Sequence, residues 1–136
     1  MKLPFDRQNP PATDEDIETL KSVSPHELPP VYLALLKYTN GGEWPISMAP
    51  FTFVMFETNV VVGNLTGTDF GEVYPQCVPI GGDGMSEYIA LDFSEPGPPR
   101  VVAIDATEED QSSALYPVTN TLEEFIREIG KEPEAD

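Results

Sequence analysis

Basic residues, cysteine and histidine are all scarce in this sequence. Its 136 residues include 7 Lys and Arg against 24 Asp and Glu, so the formal net charge is −17 at pH 7. No Lys or Arg occurs between Lys37 and Arg100. Such a charge repels nucleic acids and anionic membranes, and it speeds the encounter with a basic partner. The composition therefore predicts neither nucleic-acid nor membrane binding, although acidic faces also serve solubility alone.

The single cysteine and the single histidine limit the chemistry that the chain can perform. Zinc sites need several Cys or His ligands, and we expect neither a metal nor a cofactor. Cys77 lies between Pro75 and Pro79 with no basic neighbour in sequence to activate it, and His26 follows a Ser-Pro break between two predicted helices. Both residues are predicted to be structural, and the chain is predicted not to be an enzyme. A Cys–His pair brought together by folding stays open.

Long hydrophobic runs are absent as well. No segment approaches the roughly 18 apolar residues that cross a membrane, and the first residues, Met1 to Asp6, lack the apolar stretch of a signal peptide. Together with a single cysteine, which cannot form an internal disulfide, this predicts a cytoplasmic protein. The length predicts one domain over residues 1–136, with an extended arm over residues 1–12 and a frayed tail over residues 131–136.

Residues 28–46 contain the clearest core element. Pro29 and Pro30 are typical of the first turn of a helix, where the missing N–H has no partner to lose. Apolar side chains then recur at helical spacing, and Asn40-Gly41-Gly42 stops the helix. The pattern predicts a buried helix from about residue 29, with an apolar face formed by Val31, Tyr32, Leu35, Leu36 and Tyr38.

Two further helices are predicted from their capping signals. Thr13 is followed by three acidic residues, as in a capping box, and predicts a short helix over residues 14–22. Near the C-terminus, Thr121 with Glu124 forms a second capping box ahead of an amphipathic helix that Gly130 stops. The apolar face of this helix consists of Leu122, Phe125, Ile126 and Ile129.

The middle of the chain is rich in predicted strands. The aromatic and β-branched segment 51–56 predicts a central strand covered on both faces, and Pro79 places the strand 78–80 at an edge or a terminus of the sheet. Segments 88–93 and 101–104, joined by a Pro/Gly turn, predict an antiparallel hairpin at the centre. Residues 115–118 predict a short extended piece. With helices at both ends, this order predicts an α+β domain with a mainly antiparallel sheet.

The segment after the first of these strands is ambiguous. The three valines from Val60 to Val62 favour a strand, whereas Thr58 as a cap favours a short helix, which is the interpretation we adopt. Residues 64–71 are predicted to form an exposed loop, and Gly81-Gly82-Asp83-Gly84 a tight turn.

These elements together resemble the signature of the SUKH superfamily, which includes yeast cell-wall assembly regulators and many bacterial toxin-immunity proteins. The resemblance rests on the Pro-started helix, the Asn40-Gly41-Gly42 stop, the Val78-Pro79-Ile80-Gly81 strand with Gly84, and the helix after Thr121. It implies an α+β fold with helices packed on a mainly antiparallel sheet. For the bacterial members it also implies a protein that binds and neutralises a cognate toxin, often a nuclease.

The predicted function follows from the resemblance and the charge. A nuclease toxin presents a basic surface to nucleic acid, and an acidic protein can occupy that surface with fast, electrostatically steered association. Acids in exposed turns and loops are the candidate contacts. The predicted partner-binding residues are Asp69, Glu72, Asp83, Glu87, Glu108, Glu109 and Asp110.

Two alternatives stay open at the level of the sequence. One is a regulatory interaction module that resembles the yeast regulators and binds a protein other than a toxin. The other is a small hydrolase or ligand-binding protein with a pocket near Trp44. Neither the identity of the partner nor the oligomeric state follows from the sequence.

Overall fold

A six-stranded antiparallel sheet forms the centre of the protein. The computed structural model describes residues 3–108 and 114–132, and in these ranges the strands lie side by side in chain order, each antiparallel to the next. The predicted α+β fold is therefore confirmed. The strands are β1 (Gly42–Pro45), β2 (Thr52–Met55), β3 (Cys77–Gly82), β4 (Glu87–Asp92), β5 (Arg100–Asp105) and β6 (Leu115–Thr119).

Helices precede, interrupt and follow the strands. The first and last begin at the predicted threonine caps, since Thr13 accepts from the amide of Asp16 at 3.0 Å and Thr121 accepts from the amide of Glu124 at 3.1 Å. Gly130, with φ +90°, ends the last helical segment. The helices in the described ranges are α1 (Asp14–Val23), α2 (Pro30–Tyr38), α3 (Thr58–Thr66), α4 (Phe70–Val73) and α5 (Leu122–Glu128). Of the helices in these ranges, none has the length and apolar character needed to span a membrane.

Helix α2 is the buried element that the prolines and the apolar spacing predict. Tyr32, Leu35 and Leu36 have 0% exposed surface, and the chain leaves the helix through Gly41, whose φ of +92° suits glycine. An added Cβ at Gly41 would lie 2.9 Å from Cγ of Glu57. Glycine is therefore needed here both for its backbone angle and for the crowded passage into β1.

The valine segment forms helix α3, as predicted, but Thr58 is not its cap. Thr58 lies inside the first turn, where its amide donates to Oδ1 of Asn40 at 2.9 Å. The helix extends into the predicted loop at residues 64–71, and α4 follows it there, so the loop prediction is wrong. Phe70 anchors α4, because it is buried with its ring centroid 5.1 Å from that of Tyr88. A helix this short has too few positions to show a periodic pattern in the sequence.

Strand β3 is internal, not at the edge that Pro79 predicted. It lies between β2 and β4, and its register with β4 shifts between Pro79 and Gly81. This irregularity accommodates a residue without an N–H inside a paired strand. Gly81 and Gly82 belong to the strand rather than to the predicted turn. Glycine is required at residue 81, since a Cβ there would collide with the carbonyl oxygen of Val54.

Strand β2 is fully covered on one face only. Phe53 and Met55 are buried, whereas Thr52 and Val54 on the other face are half-buried. The predicted burial of both faces is wrong, because the Val54 side borders an open cavity. The strand is also shorter than predicted, and Phe51 before it is 50% exposed.

The predicted hairpin of β4 and β5 divides the hydrophobic interior into two clusters. Successive residues of a strand point to opposite faces, so one face joins α1, α2 and α5 in the larger cluster and the other joins Phe70 of α4 in the smaller one. The larger cluster takes Ile89, Leu91, Val101 and Ala103 from the hairpin, and the smaller one takes Ala90, Val102 and Ile104.

Candidate protein-binding surface

The turn between β3 and β4 carries two of the predicted acidic residues. Asp83 organises this turn, because its Oδ1 accepts from the amide of Met85 at 2.8 Å and from the amide of Glu87 at 3.1 Å. Gly84, with φ +82°, allows the reversal of the chain. Met85 consequently projects from the tip of the turn with 91% of its surface exposed.

Glu87 and Asp105 face each other at the open end of the β4–β5 hairpin. They are partners in the register, and the side chains of such a pair point to the same face of the sheet. Glu87 accepts a hydrogen bond of 2.7 Å from the hydroxyl of Tyr116 on β6. Asp105 accepts from the amide and the hydroxyl of Thr107 at 2.9 and 2.6 Å. We call the group formed by Asp83, Glu87, Asp105 and Tyr116 the acidic corner.

The acidic corner concentrates negative charge. The pKa of Tyr116 is raised, first by burial, then by its hydrogen bond to Glu87 and by the carboxylates of Glu87, Asp83 and Asp105. The hydrogen bonds from Thr107 lower the pKa of Asp105, so this carboxylate stays ionised at neutral pH. In the described part of the chain, none of the three acids forms an ion pair with Lys or Arg. Within residues 3–108 and 114–132, no group of His, Cys, Asp and Glu is arranged to hold a metal ion.

An apolar surface adjoins the acidic corner. One cavity of ≈ 280 Å³ is bordered by Phe56, Met85 and Glu87. A second cavity of ≈ 330 Å³ is bordered by Phe56, Val54 and Val60, and Val60 is 41% exposed. Phe56 borders both cavities. Exposed apolar groups with a charged rim are typical of protein-binding sites.

The structure brings part of the predicted acidic set together in this region. Asp83 and Glu87 meet in the acidic corner. Glu108 follows close behind, since its amide donates to the carbonyl oxygen of Asp105 at 3.2 Å. These residues therefore share one end of the sheet.

The other predicted acids lie elsewhere. Asp69 precedes α4 and Glu72 lies in it, and both are exposed. Helix α4 packs through Phe70 on the face of the sheet opposite to that of Glu87, so these two acids do not join the acidic corner. Glu109 and Asp110 fall outside the described residues.

Asp105 and Tyr116 are not among the partner-binding residues predicted from the sequence. Pairing the hairpin residues outward from the Pro/Gly turn would have placed Asp105 opposite Glu87. No local signal marks Tyr116, because its position depends on the register of β6 with β5, which shifts between Val101 and Val102.

His26 and Cys77 do not contact each other as a nucleophile and its base. Nε2 of His26 donates to the carbonyl oxygen of Pro75 at 2.8 Å, and its ring stacks on Phe93 with centroids 4.6 Å apart. Cys77 is 1% exposed. Burial, with a contribution from the Asp92 carboxylate, raises the pKa of the Cys77 thiol to about 12. At neutral pH this sulfur is a buried thiol.

Trp44 lies under the N-terminal arm instead of in a pocket. Its indole N–H donates to the carbonyl oxygen of Asp6 at 3.2 Å, and the centroid of the Phe5 ring is 4.8 Å away. Gln8 fastens the arm, because it accepts from the amide of Glu43 at 2.7 Å and donates to the Glu43 carbonyl oxygen at 2.6 Å. The arm covers Trp44 itself, which is 6% exposed, while the cavity bordered by Val54 and Val60 is also lined by Gly42 and Glu43, which directly precede Trp44 in sequence.

Comparison with known proteins agrees with this architecture. A sequence model of the SMI1 / KNR4 family (SUKH-1) matches residues 11–128. A comparison with curated proteins found no match. The matched range runs from the end of the arm to the end of α5 and contains the strands, the helices and the acidic corner described above. It confirms the resemblance to the SUKH superfamily, and the chain belongs to the SMI1 / KNR4 family (SUKH-1).

Proposed function

We propose that this protein is an immunity-type domain that binds and neutralises a basic, nuclease-type toxin through the acidic corner. The observation that carries the proposal is the pairing of Glu87 with Asp105 on adjacent strands. Like charges directly opposite each other in a sheet oppose folding. No Lys or Arg among the described residues pairs with these two carboxylates, so they are suited to bind a Lys or Arg side chain of a partner.

The charge of the whole chain acts in the same direction. Asp83 adds a third carboxylate to the acidic corner, and the net charge of −17 extends the negative potential beyond it. A nuclease contacts phosphates with Lys and Arg, and the same side chains are attracted to carboxylates. Such complementarity acts chiefly on the rate of association.

The apolar surface beside the acidic corner is expected to supply binding affinity that charge alone does not. Met85 is flexible, polarisable and almost fully exposed, and Phe56 borders both adjoining cavities. Apolar anchors that lose water on binding contribute a large part of the affinity in protein complexes. We therefore expect Met85 to govern the lifetime of the complex and the acids to govern its formation.

Membership of the SUKH-1 family is the second support for the proposal. The wider SUKH superfamily includes bacterial immunity proteins, and these act by occupying a toxin rather than by chemistry of their own. A binding role also fits the contacts of His26 and Cys77, which are packed within the fold.

The test begins by sequencing the open reading frame beside that of this protein, which the proposal expects to encode a toxin domain. Co-expression should protect cells from that toxin. In stopped-flow mixing, the association rate should fall steeply between about 50 and 500 mM salt. Asp83→Lys with Glu87→Lys should slow association much more than it speeds dissociation. Asp69→Lys with Glu72→Lys makes the same change of charge on the other face and serves as the matched control.

A second variant guards against a disturbed turn. Glu87→Gln keeps a hydrogen-bond acceptor for Tyr116 and removes one charge, so it should repeat the slower association on a smaller scale. An association rate indifferent to salt and to all these changes would place recognition on the apolar surface alone. Absence of protection in co-expressing cells would contradict the immunity role.

A further inference from the structure

A second concave surface lies near the closed end of the β4–β5 hairpin. A cavity of ≈ 690 Å³ opens between the α1–α2 connection, the first turn of α2, the β4–β5 loop and the start of α5. Its lining is largely apolar, and Leu28 and Leu122 in it are buried. Val31 and Phe93 extend the apolar lining. We call this cavity the proline groove, because four prolines also line it: Pro29, Pro30, Pro98 and Pro99.

Prolines restrict the backbone beside the proline groove. Proline restricts φ to a narrow range, and the four prolines stand on two different walls. His26 stiffens a further side, because its ring lies flat on Phe93 with an interplanar angle of 6° and its Nε2 is held by the Pro75 carbonyl. A preformed groove does not have to be ordered by its ligand, which lowers the entropic cost of binding.

The carboxylate and ammonium or guanidinium groups among the residues that line the proline groove are all carboxylates. Glu27, Glu95 and Glu123 line it from the α1–α2 connection, the β4–β5 loop and the first turn of α5, and all three are exposed. Among the described residues that line the groove there is no Lys or Arg. In residues 3–108 and 114–132, none of the three glutamates forms an ion pair. The groove therefore complements a ligand that is apolar in its middle and cationic at its flanks.

We infer that the proline groove binds an extended peptide segment of a protein partner, with aliphatic or proline side chains against the apolar lining and Lys or Arg beside the glutamates. The three carboxylates come from three separate segments of the chain. An extended peptide advances about 3.3 Å per residue, so successive side chains can reach different walls. One small cation would neutralise a single carboxylate and leave the apolar lining uncovered.

This inference does not rest on the proposed immunity function. Glu87 opens β4 and Phe93 follows its end, so the acidic corner and the proline groove lie at opposite ends of one strand. Each surface can be tested with the other intact.

The test is a titration of capped peptides into the isotope-labelled full chain, followed by amide chemical shifts. The main probe alternates Lys with Leu and Pro. A second probe replaces every Lys with Glu, and a third keeps every Lys but replaces Leu and Pro with Ser and Gly. We expect the main probe alone to shift the amides of Val31, Phe93, Gly97 and Leu122, while that of Met85 stays in place.

Three variants separate the proline groove from general attraction to an acidic protein. Glu123→Lys should weaken binding of the main probe at least about fivefold. Glu15→Lys is the control, because it makes the same change of charge at an exposed position in the first turn of α1. It should leave binding of the main probe unchanged. Val31→Thr keeps the side-chain shape but places a hydroxyl at the apolar lining, so it should weaken binding as well.

Three results would overturn the inference. One is equal binding of the Lys-Ser-Gly probe, and another is a pattern of shifts spread over the whole acidic surface, since both indicate unspecific attraction. The third is the absence of saturable binding of the main probe below about 5 mM. Asp83→Lys with Glu87→Lys should leave this titration unchanged, so the two proposals can fail independently.

Discussion

The β4–β5 hairpin ends in two cross-strand pairs of opposite character. At the closed end Asp92 faces Arg100, and Nε of the arginine lies 2.7 Å from Oδ2 of the aspartate. At the open end Glu87 faces Asp105, and the donors that orient these carboxylates are neutral. Both pairs belong to the same β4–β5 register. They differ in charge, because Asp92 faces a cation whereas Glu87 faces a second carboxylate.

This difference separates a stabilising interaction from the surface that we propose binds a partner. Asp92 is 3% exposed. Burial by itself would raise the pKa of Asp92, but the hydrogen bonds from Arg100 and Ser94 and the charge of Arg100 hold it below its ordinary value. The carboxylates at the open end have no such cationic partner among the described residues. A cross-strand carboxylate can thus serve the fold or a ligand, according to what stands opposite.

The largest effect should come from breaking the pair at the closed end. Arg100→Met leaves the Asp92 carboxylate buried without its cation and should lower the free energy of unfolding by about 2–4 kcal/mol. Denaturation in urea measures this change. Arg127→Met is the matched control, because Arg127 is exposed and forms no ion pair in the described residues. Equal stability of both variants would contradict a structural role for the Asp92–Arg100 pair.

The pH dependence of that variant sharpens the point. In the wild type the lowered pKa of Asp92 contributes stability above the ordinary Asp value, and this contribution is lost as pH falls through the folded pKa. In Arg100→Met, burial is no longer offset by the arginine, so protonation relieves the penalty. We expect the difference in stability between the two proteins to shrink as pH falls below about 5. A difference independent of pH would exclude the buried charge as its cause.

A smaller effect should follow at the open end from Tyr116→Phe. This change removes the donor to Glu87 and should cost about 0.5–1.5 kcal/mol. Tyr32→Phe is the control, because the buried Tyr32 hydroxyl has no hydrogen-bond partner among the described residues, so its removal should not destabilise the protein. Urea denaturation of both variants provides the comparison, and equal losses would contradict it.

Alkaline pH tests the same tyrosine by its ionisation. Because the pKa of Tyr116 is raised in the folded protein, its contribution to stability is present below the ordinary tyrosine value and is lost above it. Stability of the wild type should therefore decrease above about pH 10. The decrease should be weaker in Tyr116→Phe, and identical slopes would show that the carboxylates do not act on this hydroxyl.

The smallest effect should be a gain in stability from Glu87→Gln. Removing one of two facing like charges should raise the free energy of unfolding by about 0.2–1 kcal/mol, because the amide oxygen can still accept from Tyr116. Asp92→Asn makes the equivalent change at the closed end and should have the opposite sign. Melting curves at low salt compare the two, and effects of the same sign would remove the distinction between the ends of the hairpin.

Local signals predicted the starts of α1 and α5 because the interactions that cap these helices are local. The capping pair of Thr13 and Asp16 spans three residues, and so does that of Thr121 and Glu124. The same reasoning failed for α4, where burial of Phe70 against a distant strand decides the structure. It also failed for β3, where a shifted register admits Pro79 into the interior of the sheet.

The candidate sites divide in the same way. Asp83 and Glu87 were predicted, because a glycine turn between two strands exposes its acids. The cavities were not predicted, since each is formed by segments far apart in the chain. Trp44 was predicted to lie near a pocket, but the N-terminal arm covers it. The contact is made by Asp6, 38 residues away in sequence, and such a distant contact leaves no local signal.

By itself the sequence determined the net charge, the buried helix α2, the capped helices and the antiparallel hairpin, because composition and short-range periodicity encode them. Only the tertiary structure decided that Glu87 faces Asp105, that Tyr116 of β6 donates to Glu87, and that the prolines at the start of α2 and in the β4–β5 loop line one groove. The physical reason is that strand register and loop packing are set by long-range contacts. Those contacts fix which of the described carboxylates are paired with a cation within the fold and which are not.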